Sequence, residues 1–236
     1  MSAPPLPRPI SEPEVAAWRG TVRTGAAAAL GSVALIVVQL VVFAVWPPPH
    51  TAPEVLDLMA REPLLGLVSL DALYVVNNVF VLLLYVALAI CLWREHRGVV
   101  TIALVLGVLQ MASYMASNPA VELLHLAGRY ADATGQDRLV LLAAGEAQLA
   151  AWKGTAFLVY YELGAIVLLL FASALLRSSL FSRATGVWAL ASGVLMLVPS
   201  TVAGPVGLAF GVGSLVPWSV MCLLLARRLG VLSRST

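Results

Sequence analysis

Apolar positions along the chain gather into six long blocks separated by short polar connections. The blocks run 26–46, 64–93, 99–117, 152–176, 184–201 and 206–226. A helix of about 20 apolar residues crosses about 30 Å of hydrocarbon, and a soluble core has no use for six such runs. Each block therefore reads as a membrane-spanning helix. The second, as one straight helix, would measure about 45 Å and must tilt or project from the bilayer. The fifth and sixth meet across Gly204-Pro205 as a tight hairpin. The expected fold is all-α: a polytopic transmembrane helical bundle of about six spans.

Two connections carry helical signals of their own. The segment 50–63 predicts a short helix around Pro53–Arg61. The longer segment 118–151 predicts a pair of amphipathic, interfacial helices between the third and fourth spans. Asn118-Pro119 supplies a capping side chain and a first-turn proline. Glu122, His125, Arg129 and Asp132 then share one helical face, with Val121, Leu123, Leu124 and Ala131 over much of the rest. Thr134-Gly135 ends that helix, and a second starts near Gln136. Such helices lie on the bilayer or cap a bundle.

Composition agrees with this picture. Of 236 residues, 61% are apolar and 11% charged, against about 45–50% and about 25% in soluble domains. Charge placement adds orientation. With six spans, ten of the 14 basic residues fall on one side: Arg8, Arg19, Arg23, Arg94, Arg97, Arg177, Arg183, Arg227, Arg228 and Arg234. Only Arg61, Arg129, Arg138 and Lys153 fall on the other. The excess of positive charge marks the cytoplasmic side, so both termini are expected inside. Residues 1–25 read as a disordered, proline-rich cytoplasmic tail, 26–228 as the membrane domain and 229–236 as a second cytoplasmic tail. The first block lacks small residues for cleavage at its end and reads as a retained span. A net charge of +2 gives no basis for nucleic-acid binding.

Candidate chemistry rests on ionisable residues inside the spans. Asp71 in the second and Glu162 in the fourth each cost about 2.5–3.5 kcal/mol at mid-bilayer if charged. Asp71, Tyr74, Asn78 and Tyr85 share a helical face, with Asn77 pointing elsewhere. Gln110, Ser113, Tyr114 and Ser117 form a second stripe, and Thr155, Glu162 and Ser173 a third. Polar stripes in a bundle prefer one another to lipid, so the expectation is one polar cavity open to the outside. Asp71 and Glu162 are the candidate catalytic pair, and Tyr74, Asn78, Gln110, Tyr114 and Thr155 the candidate ligand-binding residues.

No metal site is expected. Cys91 and Cys222 lie apart in apolar blocks and read as buried thiols. Glu122 and His125 make a single Glu-x-x-His, where a di-iron bundle needs two. No phosphate loop, HExxH or GxSxG occurs, and no cofactor is implied. Gly207 and Gly211 mark close helix packing, and Pro217 a kink in the sixth span.

The run Ala120-Val121-Glu122-Leu123-Leu124-His125-Leu126-Ala127-Gly128-Arg129-Tyr130-Ala131 follows the third span. Tyr160-Tyr161-Glu162-Leu163-Gly164 and then Arg183-Ala184-Thr185-Gly186-Val187-Trp188 come after it. In this order the chain resembles a broad group of bacterial six-pass integral membrane proteins of about this length, known only as a domain of unknown function. The resemblance extends from the first span to the sixth. It implies a bacterial plasma (inner) membrane location and supplies no catalytic residues.

Three functions fit this reading. The first is binding or sensing of a small apolar molecule or lipid head group in the cavity. The second is acid/base catalysis on a lipid or isoprenoid by Asp71 and Glu162. The third is transport, which the absence of two similar halves weakens and which at this size would require a homo-oligomer.

Overall fold

The computed structural model describes residues 12–198 and 205–234, without the side chains of 12–16, 205 and 208. Every regular element among the described residues is a helix. These are α1 (Glu12–Val45), α2 (Ala52–Arg61), α3 (Pro63–Ser69), α4 (Ala72–Ser117), α5 (Ala120–Asp132), α6 (Gly135–Trp152), α7 (Thr155–Arg177), α8 (Arg183–Leu195) and α9 (Pro205–Leu232). Four helical stretches are long and apolar enough to cross a membrane: Ala17–Val45, Ala72–Asp132, Gly135–Arg177 and Ala209–Leu232.

Several boundaries differ from the sequence reading. Residues 12–25, assigned to a tail, belong to α1; 1–11 lie outside the described residues, as do 199–204, which include the end of the fifth block and Gly204. The second block is not one helix. It breaks at Leu70 (φ −99°, ψ 34°) and Asp71 (φ 58°, ψ 27°) into α3 and α4. An aspartate tolerates this left-handed geometry better than most residues. The second and third blocks form the two arms of α4, which folds back at His96 (φ −141°, ψ 41°) inside the polar run Arg94-Glu95-His96-Arg97. Tyr74 and Tyr114, at opposite ends of α4, thereby stack at 5.4 Å.

The long helices close a ring. On α1, a Cβ at Gly25 would overlap the Ala87 methyl of α4, and one at Gly31 would stand 2.8 Å from the Phe80 ring. Gly164 of α7 is equally close to the Gln110 amide on the second arm of α4. Gly186 of α8 meets Leu176 of α7, and the Ser192 hydroxyl of α8 donates to the Ser214 carbonyl of α9 (3.3 Å). The Trp218 indole of α9 donates to Ser32 of α1 (3.3 Å), completing the circuit. Small residues at these seams let the backbones approach, which is how helices associate where no hydrophobic effect separates them from lipid. Tyr85, Leu88, Phe171, Leu175, Cys222 and Leu225 sit at the centre of the resulting core.

The two ends of the ring differ. At one end, Glu95 accepts from the Ser179 N–H (3.3 Å) and hydroxyl (2.6 Å), and Arg228 donates to the Leu180 carbonyl (2.6 Å). Arg19, Arg23 and Arg234 border a cleft there between α1 and α9. At the other end α2, α3, α5 and α6 pack around their own small core of Val55, Leu56, Met59, Leu70, Leu123, Ala127, Tyr130 and Leu141. Arg138 ties this cap together: its guanidinium lies 3.9 Å over the Tyr130 ring, donates to the Tyr130 carbonyl and stands 3.9 Å from Asp57. The polar face expected of α5 holds, with Glu122, His125, Arg129 and Asp132 exposed.

Candidate functional site

A cavity of about 270 Å³ lies inside the ring, at the end nearer the cap. All five ring helices line it, and so does Asp71. Its position follows from the break before α4. Ending α3 and restarting the helix exposes carbonyls at the break, and side chains distant in sequence bond to three of them, of which Val68 O and Asp71 O also accept backbone N–H groups. Gln39 of α1 donates to Val68 O (3.2 Å), Asn118 to Leu70 O (2.7 Å), and the Tyr114 hydroxyl approaches Asp71 O at 3.5 Å. The break is therefore fixed from both sides, with Asp71 held at the mouth of the ring. Asp71 starts α4, yet its side chain makes no capping bond. Among the described residues its carboxylate has no hydrogen-bond donor and no ion-pairing cation.

One wall is aromatic. Tyr74 stands 5.4 Å from Tyr114, Tyr114 is 4.8 Å from Tyr160, and Tyr160 is 5.9 Å from Tyr161. Phe157 lies 5.4 Å from Tyr161. These separations are in the favourable range for tilted and edge-on pairs. The remaining walls mix amides and hydroxyls with apolar side chains: Gln39, Asn77, Asn78, Gln110, Ser192 and Ser214 among Ile36, Phe43, Val81, Met111, Leu168, Met196 and Trp218.

Three of these amides are incompletely satisfied. The Oε1 atoms of Gln39 and Gln110 and the Oδ1 of Asn77 are buried without a donor. The residues are 7%, 3% and 2% exposed, so outside water does not reach them. Leaving a buried acceptor unpaired costs about 1–3 kcal/mol. All three belong to side chains that line one cavity.

The structure brings together Asp71, Tyr74, Asn78, Tyr85, Gln110 and Tyr114, from the first two predicted stripes. The third stripe fails. Thr155 and Glu162 are exposed on the outer face of α7 and line no part of the cavity. The reason is rotational: α7 turns its apolar-aromatic face inward at Phe157, Tyr160, Tyr161, Gly164 and Leu168, spaced i, i+3, i+4, i+7 and i+11. Asn77, expected to point away, lines the cavity with Asn78. Ser113 and Ser117 turn back onto their own helix, donating to the carbonyls of Leu109 and Tyr114. The sequence reading also missed Gln39, although it is the lone polar residue between Val33 and Trp46. A lone amide in an apolar span is a signal in itself. The two thiols are buried as expected, and no cluster of metal-ligating side chains occurs among the described residues.

Comparison with protein-family models, with curated proteins and with solved structures gave no match.

Proposed function

We propose that this protein is a membrane-embedded binding or sensing protein. Its ring of helices takes a small molecule, or the head group of a lipid, into the cavity beneath the cap. The observation that carries this reading is the chemistry of the wall. Gln39, Asn77 and Gln110 line the open volume, and each keeps a buried amide oxygen without a donor. An apolar cavity with a few placed polar groups is the usual form of a small-molecule site. The acid/base enzyme reading loses half of its machinery, because Glu162 is outside the cavity that Asp71 borders.

The proposed topology has six crossings with both termini in the cytoplasm of a bacterial cell, in the plasma membrane. Its support is the gathering of the His96 turn, the α7–α8 connection and the arginines of α1 and α9 at one end of the ring. The cap would then face outward and form the roof of the site.

Purification from the native membrane followed by solvent extraction and mass spectrometry tests the reading. Ser214 lines the cavity and is 6% exposed, so Ser214→Phe should fill the cavity from α9. A small molecule or lipid should accompany the wild type in stoichiometric amount and be absent from a monodisperse Ser214→Phe preparation. Identical extracts from the two would remove the basis for a cavity ligand.

A further inference from the structure

We propose that the ligand of this cavity is a primary organic ammonium ion, with its charge set against Asp71 and its apolar body held by the aromatic wall. The inference rests on the cavity being a binding site, and it deepens that reading by naming the ligand chemistry.

Charge comes first. Among the described residues Asp71 is the one carboxylate that borders the cavity, and no Lys, Arg or His lines it. An unpaired carboxylate in such surroundings is costly, and a counter-charge relieves the cost. Lys153 lies between α6 and α7. It forms no ion pair with Asp71, and its ammonium lies 5.6 Å over the Trp152 ring instead. The cavity thus carries a carboxyl group for which the described residues supply no counter-ion. An anionic ligand would meet repulsion from Asp71 and no compensating cation.

Hydrogen bonding comes second. The unsatisfied atoms of the wall are all acceptors: the amide oxygens of Gln39, Asn77 and Gln110. They call for a ligand that donates. A primary ammonium carries three donors and accepts nothing. A quaternary ammonium carries the charge and no donor, so it leaves the amides as they are.

Shape comes third. Tyr74, Tyr114 and Tyr160 crowd one side of the cavity at centroid separations of 4.8–6.5 Å. Aromatic faces attract cations and also bury hydrocarbon. A bare metal ion would have to rely on amide oxygens beside a single carboxylate, and it would leave the aromatic wall unused.

Backbone geometry at Asp71 points the same way. It is the only described residue other than glycine with positive φ (58°). Glycine would take that conformation without strain. Aspartate is among the side chains that accept this conformation, and here it also sets a carboxylate without a bonding partner at the edge of the cavity.

The test uses the full-length protein in nanodiscs of zwitterionic phosphatidylcholine, so that cations do not accumulate on the lipid. Butylammonium, 2-phenylethylammonium and its N,N,N-trimethyl analogue are titrated beside butanol and 2-phenylethanol. Thermal midpoint and Trp fluorescence are followed, since Trp218 lines the cavity. The primary ammonium ions should bind saturably, and the alcohols and the trimethyl analogue at least about tenfold more weakly. Asp71→Asn, which keeps a side chain that tolerates positive φ, should lose at least about tenfold in ammonium affinity with an unchanged midpoint in the absence of ligand. Should Asp71→Asn fail to accumulate, Asp71→Gly carries the same comparison. Equal binding of alcohol and ammonium, or full ammonium affinity in both Asp71 variants, would overturn the cation assignment while leaving the cavity as a site for a neutral ligand. Failure of every primary ammonium ion to bind would also overturn it. The wider binding reading is decided separately, by the molecule that does or does not accompany the purified protein.

Discussion

At the scale of single residues, the molecule turns on side chains that bond to backbone the helices leave open. Asn118 does this twice: it donates to Leu70 O and accepts from Ala120 N–H (3.0 Å), joining the break before α4 to the start of α5. Asn118→Ala should lower stability by about 1–3 kcal/mol, because a buried carbonyl loses its donor; a thermal-unfolding series in one detergent would show it. Glu54 gives a smaller effect with a definite sign. Its carboxylate accepts from the His50 and Thr51 N–H groups (3.0 and 3.2 Å), and these bonds hold it below the ordinary value of 4.5. A carboxyl group lowered by folding stabilises above its unfolded pKa and stops doing so as pH falls through the folded one. The protection factors of amides at the start of α2, corrected for intrinsic exchange, should therefore fall below about pH 4 in the wild type and show no such step in Glu54→Gln. Individual residues were only partly legible in the sequence. Asp71, Tyr74, Asn78, Gln110 and Tyr114 were found because helical periodicity groups polar positions. Glu162 and Thr155 were misplaced because their stripe assumed that polarity points inward, whereas α7 buries its aromatic face.

At the scale of elements, the packing depends on residues whose lack of a side chain matters. Gly25 lies against Ala87 so closely that any Cβ requires a shift of α1 from α4. Gly25→Leu should destabilise by about 1–3 kcal/mol or more, read as loss of monodisperse protein on size exclusion. Gly164→Ala should act on the site instead, by displacing the Gln110 amide that stands 2.8 Å from the new methyl; its expected signature is weaker ligand retention with a nearly unchanged thermal midpoint. Helix positions were legible because apolar blocks and breakers are local features. The helices at Ala52–Arg61, Ala120–Asp132 and Gly135–Trp152 fall where Pro53, Asn118-Pro119 and Thr134-Gly135 signal starts and stops. The break at Leu70–Asp71 was not legible. No glycine or proline marks it, and the donors that satisfy it come from Gln39, Tyr114 and Asn118, distant in sequence.

At the scale of the whole molecule, a ring of helices encloses a mostly apolar cavity with a few polar groups, under a cap with its own core. The proposed six-span topology is open to direct test by cysteine labelling in a Cys91→Ala, Cys222→Ala background. The exposed positions Ser182→Cys and Arg234→Cys should react with a membrane-impermeant reagent only after the cytoplasmic side is opened, and Thr134→Cys in intact spheroplasts. Labelling of all three from one side would refute that arrangement. What the ring encloses matters more than how it is threaded, because the unsatisfied oxygens of Gln39, Asn77 and Gln110 are what separate a binding site from a packing defect. The most direct measurement is a high-resolution electron cryomicroscopy map of the protein purified gently from its own membrane. A bound species should appear as compact density within about 3.2 Å of those amide oxygens, bordered by Tyr74, Tyr114 and Tyr160. A cavity closed by side chains, with the three amides paired to protein donors, would contradict the claim that this protein binds a ligand there.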